Sequence, residues 1–137
     1  MKKTFPGRFE SLTLVSDFVA TAAREAGLND FDVYNVQMAV DEACANIIQH
    51  GYGGDDSGEI ECSCVIGEDR LTVELRDYGA EFNPCEMPEP NLTGALEDRG
   101  VGGLGIYLMC KLVDGVEFER DGPANVLTLV KCTESAN

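Results

Sequence analysis

The sequence predicts an α+β domain: a two-layer sandwich in which helices pack on one face of a mixed, mainly antiparallel sheet. Three observations carry this. Residues 9–50 hold two stretches of helical period, residues 59–76 change to a period of two, and a shorter helical stretch then leads into a second pair of alternating runs. Helix, helix, hairpin, long loop, helix, hairpin is an order that covers one face of an antiparallel sheet. At 137 residues the chain has the length of one domain, and 1–137 is read as a single unit.

The first helix is expected over residues 9–26. Phe9, Leu12, Val15, Val19, Ala22, Ala23 and Ala26 recur at three- and four-residue steps, and Gly27 supplies a C-terminal stop. A second helix is expected from about Phe31 to His50, capped by Asn29 or Asp30 and ended by Gly51. Its core-facing stripe reads Phe31, Tyr34, Met38, Ala45 and Ile48, widened by Val40, Cys44 and Ile47. Next, Ile60, Cys62, Cys64 and Ile66 alternate with Glu59, Glu61, Ser63 and Val65. After the turn Gly67-Glu68-Asp69, Leu71, Val73 and Leu75 alternate with Thr72, Glu74 and Arg76, which makes a hairpin with one buried face. Residues 80–102 contain Pro84, Pro88, Pro90 and Gly94 and keep no period, so they read as a lid-like loop. A third helix is expected from near Gly103 to about Val113, and strands over 116–120 and 125–132 close the chain around Asp121-Gly122-Pro123.

Composition excludes several functions. The formal net charge is −15. Residues 1–40 carry four basic and five acidic side chains, against six and twenty in the remainder. Such a surface repels phosphate backbones, so no direct nucleic-acid role is expected. An anionic small molecule would need a metal ion and backbone dipoles to overcome the same field. No apolar run approaches the ~20 residues of a membrane span, and Met1-Lys2-Lys3-Thr4-Phe5-Pro6-Gly7 leads into no signal-peptide apolar region. None of the six cysteines stands in a C-x-x-C pair and His50 is the only histidine, a poor basis for zinc. Reduced, structural cysteines and a cytoplasmic location follow.

Three features carry candidate chemistry, each with a plainer alternative. On the second helix Glu42, Asn46 and His50 lie at four-residue steps and share a stripe. A carboxylate above a carboxamide can hold a magnesium ion or accept a proton, and it can equally be a solvated helix face. Arg76-Asp77-Tyr78-Gly79 ends a strand. Such an Asp can accept a hydrogen bond from an exocyclic amine while the glycine admits a flat ring, or the two can simply form a turn. Arg99-Gly100-Val101-Gly102-Gly103-Leu104-Gly105 opens an apolar helix. Glycines at a helix N-terminus make an anion cradle or, alternatively, a hinge. Neither a P-loop nor a dinucleotide fingerprint fits this run. Taken in order, the three features and the intervening lid describe a complete nucleotide site.

Asp41-Glu42-x-x-x-Asn46 with His50, then Asp77-x-Gly79, then Gly103-x-Gly105 resemble the N, G1 and G2 boxes of the Bergerat-fold ATPases. Within that superfamily, the short chain, the helix end Ala23-Arg24-Glu25-Ala26-Gly27 and the run from Gly103 to Val116 resemble the bacterial anti-sigma factor serine/threonine kinases. The resemblance extends over residues 5–131 and implies roles residue by residue. Glu42 would be the general base toward a Ser or Thr hydroxyl, and Asn46 would coordinate Mg²⁺ bridging the phosphates of ATP. Asp77 would bind the adenine amine, with Gly79 clearing space for the ring. Gly103, Leu104 and Gly105 would meet the phosphates, with Arg99 as the one basic residue of the lid. His50 would be structural or lie behind the direct contacts. The resemblance also implies an anti-sigma-factor antagonist as protein substrate, a sigma factor as partner, and a homodimer formed through the N-terminal half. Two other readings compete with the kinase. One is a nucleotide-dependent binding switch without phosphate transfer. The other is an acidic metal-buffering domain built on Asp55, Asp56 and Glu59, a loop that lacks the ligand ladder of an EF-hand.

Overall fold

The computed structural model of the chain describes residues 1–53, 58–83 and 101–133. In order these form β1 (Lys2–Pro6), a 3-10 turn (Phe9–Ser11), α1 (Leu12–Glu25), α2 (Asp30–Asn46) with a π turn (Ile47–Gly51), β2 (Glu59–Ile66), β3 (Arg70–Asp77), α3 (Val101–Leu112), β4 (Gly115–Asp121) and β5 (Ala124–Cys132). The sheet order is β1-β2-β3-β5-β4. Every pairing among these strands is antiparallel, so the sheet is simpler than the mixed one expected. The helices lie on one side of it, as the order of elements predicts.

Local chemistry explains the ends of the helices. Asn29 caps α2, its Oδ1 accepting from the Asp32 N–H at 2.8 Å, while Asp30 and Asp32 place negative charge at the positive end of the helix dipole. Gly27 takes φ +91° after α1, and Leu28 N–H returns to the Ala23 carbonyl at 3.1 Å. The lid expected over 80–102 ends earlier, because Val101 is already helical. Its residues 84–100, with Arg99, lie outside the described residues, as do Asp55 and Asp56.

The core fills the space between helices and sheet. Val15, Val19, Ala22 and Ala23 of α1 and Val33, Val36, Val40 and Cys44 of α2 meet Ile60, Cys62, Leu71, Val73, Leu75 and Leu129 of the sheet. The expected stripe of α2 is corrected here. Phe31, Tyr34 and Met38 are 72%, 58% and 42% exposed. The helix is turned by about one residue, roughly 100°. The line that packs is Val33, Val36, Val40 and Ala43, whose short side chains allow close approach to the Ala20, Ala22 and Ala23 surface of α1. Bulky rings there would hold the two helices apart. Gln37 locks the pair from the side, donating from Nε2 to Ser16 Oγ at 3.0 Å.

β1 is an element the sequence analysis did not predict. Residues 2–6 are too short to show alternation and only Phe5 among them is buried, yet they pair with β2 in register Lys2 to Ser63 through Pro6 to Glu59. The five described cysteines are free thiols. Cys62 and Cys64 share the buried face of β2, and burial pushes the Cys44 thiol up to about 12. No described helix is long and apolar enough to cross a membrane.

Candidate functional site

The site is built where the C-terminal end of α2, the end of β3 and the first turns of α3 converge. A narrow pocket, with room for about 20 Å³ of water centres, opens there. Ile47, Met109, Phe118 and Leu127 give it apolar walls, and Asn46, Asp77 and Asn125 are its polar groups. Apolar walls with a few converging polar atoms are the usual form of a small-molecule site.

Asp77 is the last residue of β3 and only 4% exposed. Its Oδ1 accepts from the Gly79 N–H at 2.9 Å and from Asn125 Nδ2 at 3.0 Å, while Oδ2 accepts from none of the described residues. Burial pushes its carboxyl above the ordinary range, opposed by the bonds from Asn125 and Gly79 and by the Arg120 guanidinium. A buried carboxylate with one filled and one open oxygen is an acceptor for a ligand donor.

The π turn brings Gly51 against Asp77. Tyr52 N–H reaches back to the Ile47 carbonyl at 2.9 Å, and the widened turn points the Gly51 carbonyl at the Ala80 N–H, 2.7 Å away. A Cβ on Gly79 would collide with the Gly51 backbone, its Cα at 2.9 Å among the atoms met. Gly79 lacks a side chain here because another backbone occupies that space, a reason distinct from the ring clearance expected. His50, turned away by the π geometry, is exposed and stacks on Phe82, centroids 4.6 Å apart, beside the pocket wall.

Glu42 and Asn46 stack along α2 as their spacing predicts. Asn46 is 6% exposed and lines the pocket. Its Nδ2 donates to the Glu42 carbonyl at 2.8 Å and to Glu42 Oε1 at 3.4 Å. Its own Oδ1, buried, accepts from none of the described residues. A hard cation takes oxygen ligands, so this carbonyl oxygen fits Mg²⁺. The Glu42 carboxylate lies against α3, where a Cβ added to Gly105 would collide with Glu42 Oε1 and Cδ. Burial, with the neighbouring Glu42 charge behind it, pushes the Asp41 carboxyl up.

Glu42, Asn46, Asp77, Gly79 and Gly105 thus meet in one region. Gly103 and Leu104 stand in the first turn of α3. The sequence analysis missed Asn125, Arg120 and Gly51 as parts of the site. One signal was available for Asn125. It has the same strand parity as Leu127 and Leu129, so a polar residue stood in the inward-facing register.

Comparison with known proteins identifies the family and the fold. The profile of the family described as "Histidine kinase-like ATPase domain" matches residues 5–131. The serine-protein kinase RsbW of Bacillus pumilus is 32% identical over 127 residues, covering 88% of this chain and 78% of that protein. The serine-protein kinase RsbW of Halalkalibacterium halodurans is 29% identical over 140 residues, covering 96% and 82%. A crystal structure of the RsbU and RsbW domains of a Mycobacterium tuberculosis protein shares the fold, with TM-score 0.62 and 16% identity, covering 96% of this chain and 31% of that larger one. The chain belongs to the histidine kinase-like ATPase domain family, in the branch of the serine-protein kinases RsbW.

Proposed function

We propose that the chain is an ATP-dependent protein serine/threonine kinase that phosphorylates an anti-sigma-factor antagonist and thereby controls the availability of a sigma factor. The observation that carries this reading is the position of Glu42. Its Oε1 lies 3.4 Å from Asn46 Nδ2, one helical turn away, and its carboxylate lies against Gly105 of α3.

The lining of the pocket suits adenine in its chemistry: Asp77 Oδ2 would accept from the exocyclic amine between the apolar side chains of Ile47, Met109 and Leu127. The phosphates then extend toward the N-terminal turn of α3, where the N–H groups at Gly103, Leu104 and Gly105 and the helix dipole meet negative charge. Asn46 Oδ1 would hold Mg²⁺, which supplies neutralisation of the phosphate charge. Arg99 adds a cation from the lid. Glu42 takes the proton of the substrate Ser or Thr hydroxyl as that oxygen bonds to the γ-phosphorus. The bond from phosphorus to the bridging oxygen breaks, and ADP leaves with that electron pair. Positioning and charge neutralisation carry most of such a transfer.

Unphosphorylated antagonist would compete for the chain. Its phosphorylation leaves the chain holding the sigma factor, so the two partners switch. We place this exchange in the cytoplasm, with the chain as a homodimer. The residues before Asp41 are almost neutral and the rest strongly acidic, so a second copy is least repelled at the N-terminal half. Light scattering at high concentration gives the stoichiometry, and a monomer with and without nucleotide would overturn the dimer.

Labelled ATP with Mg²⁺ and the antagonist tests the kinase. Glu42→Gln should bind ADP nearly as the wild type does and transfer phosphate roughly 10²–10⁴-fold more slowly, the usual share of general-base catalysis. Asn46→Ala should weaken binding and transfer together. Equal rates for wild type and Glu42→Gln would remove Glu42 as the base. If wild type transfers nothing yet holds its partner only with nucleotide present, the chain is a nucleotide-dependent switch.

A further inference from the structure

Asp77 could bind an amine only if its carboxylate is kept charged and its open oxygen kept aimed, and neither follows from Asp77 alone. Oδ1 is filled by the Gly79 N–H and by Asn125 Nδ2. Asn125 is itself 4% exposed and sits opposite Asp77 in the register of β3 and β5. Its Nδ2 also lies 3.2 Å from the Gly79 carbonyl and 3.1 Å from the Ala80 carbonyl, so three acceptors face that nitrogen. A carboxamide turned over would present its oxygen to all three. Its oxygen is held from the other side as well. Arg120 Nη1 donates to Asn125 Oδ1 at 2.6 Å, and a guanidinium has donors only, so it can be satisfied only by the amide oxygen. The guanidinium is held in turn by its Nε–H on the Gly122 carbonyl, 3.2 Å away, in the tight turn between β4 and β5 where Gly122 takes φ +59°.

We propose that Arg120 and Asn125 form a positioning relay that sets the base selectivity of the pocket, rather than a structural clasp. The inference rests on the nucleotide reading above. Donors point one way along it: Arg120 to Asn125, Asn125 to Asp77 Oδ1, leaving Asp77 Oδ2 as an acceptor toward the ligand. A purine with a 6-amino group donates to that oxygen. A purine with a 6-oxo group brings a lone pair against a carboxylate and is repelled. The exposed Arg120 therefore decides, two residues removed, which base the buried Asp77 accepts. Losing it leaves the Asn125 oxygen without its charged donor, loosens the amide that holds Asp77 Oδ1, and takes away a positive charge acting on Asp77.

The test is calorimetric titration of the full chain with ADP and with IDP, which differ at the 6-position as amine against oxo. Wild type should prefer ADP by roughly 10–100-fold, the ratio expected for one hydrogen bond to a charged group. Arg120→Ala should cut that ratio to about a tenth, with the loss on ADP and IDP binding unchanged or tighter. Asn125→Ala should do the same. Arg120 is exposed, so its variant keeps the test valid even where Asn125→Ala fails to fold, and a melting curve on each variant shows which is folded. A ratio in Arg120→Ala equal to that of wild type overturns the relay and leaves the nucleotide reading standing. Equal weakening of ADP and IDP also overturns it, because that marks a structural role alone. Wild type that binds neither nucleotide overturns the nucleotide reading and the relay with it.

Discussion

At the scale of single residues, the site depends on what a side chain is allowed to touch. Glu42 is held by two neighbours: Asn46 Nδ2, at 3.4 Å from its Oε1, and the bare Cα of Gly105. Alanine at Gly105 keeps the backbone N–H proposed to meet phosphate and drives a methyl group into the carboxylate. Gly105→Ala is therefore expected to retain ADP binding and to slow phosphate transfer by roughly 10²-fold, the cost of moving a reacting group by about 1 Å. Parallel titration and transfer assays check this, and equal transfer by variant and wild type would mean that the carboxylate finds its place without the glycine. The same logic explains why Gly79 and Gly51 face each other. A Cβ on Gly79 would run into the Gly51 backbone, whereas one on Gly51 would only press on the Asp77 carboxylate at 3.3 Å.

At the scale of elements, α2 does most of the positioning. Its start is set by the Asn29 cap and its end by a π turn, and between them it carries both the core line from Val33 to Ala43 and the pair Glu42 and Asn46. Asn29→Ala removes the acceptor for the Asp32 N–H and is expected to destabilise the fold by about 1 kcal/mol. Urea unfolding measures it, and an unchanged midpoint would show that water replaces the cap without loss. At the far end of α3, Lys131 Nζ donates to the Leu112 carbonyl at 3.0 Å and lies 3.7 Å from Asp32 Oδ1. One lysine thus joins the C-terminus of α3 to the N-terminus of α2, the two helices that bring Gly105 to Glu42.

At the scale of the whole molecule, electrostatics sets a pH dependence. Asp41 and Asp77 are both pushed above the ordinary 3.8 by burial. Between 3.8 and their raised folded values, the folded chain holds protons that the unfolded chain has released. Stability therefore falls as pH rises through that interval and levels off above it. The repulsion within a chain of net charge −15 acts in the same direction. Melting temperatures taken upward from pH 3.8 should decline, and Asp41→Asn should decline less steeply than wild type. Parallel curves for the two would show that the Asp41 carboxyl titrates alike in folded and unfolded chains. Added salt should raise the melting temperature at neutral pH by screening the surface charge.

Short-range patterns carried most of the fold and half of the site. The period change after Gly58, the Asn29 cap, the Gly27 stop and the four-residue spacing of Glu42 and Asn46 depend on neighbours a few residues away, so the amino-acid sequence by itself determined the layer order and the face that Glu42 and Asn46 share. Asp77 and Gly79 were visible for the same reason, as a polar residue and a glycine at a strand end. Tertiary structure alone decided which line of α2 is buried, because that depends on how closely the alanines of α1 let it approach. It alone made β1 a strand, since a short edge strand borrows its hydrogen bonds from β2. It alone joined Arg120 and Asn125 to Asp77. Those residues lie far apart in the chain, and only the antiparallel register of β3 with β5 sets Asn125 opposite Asp77.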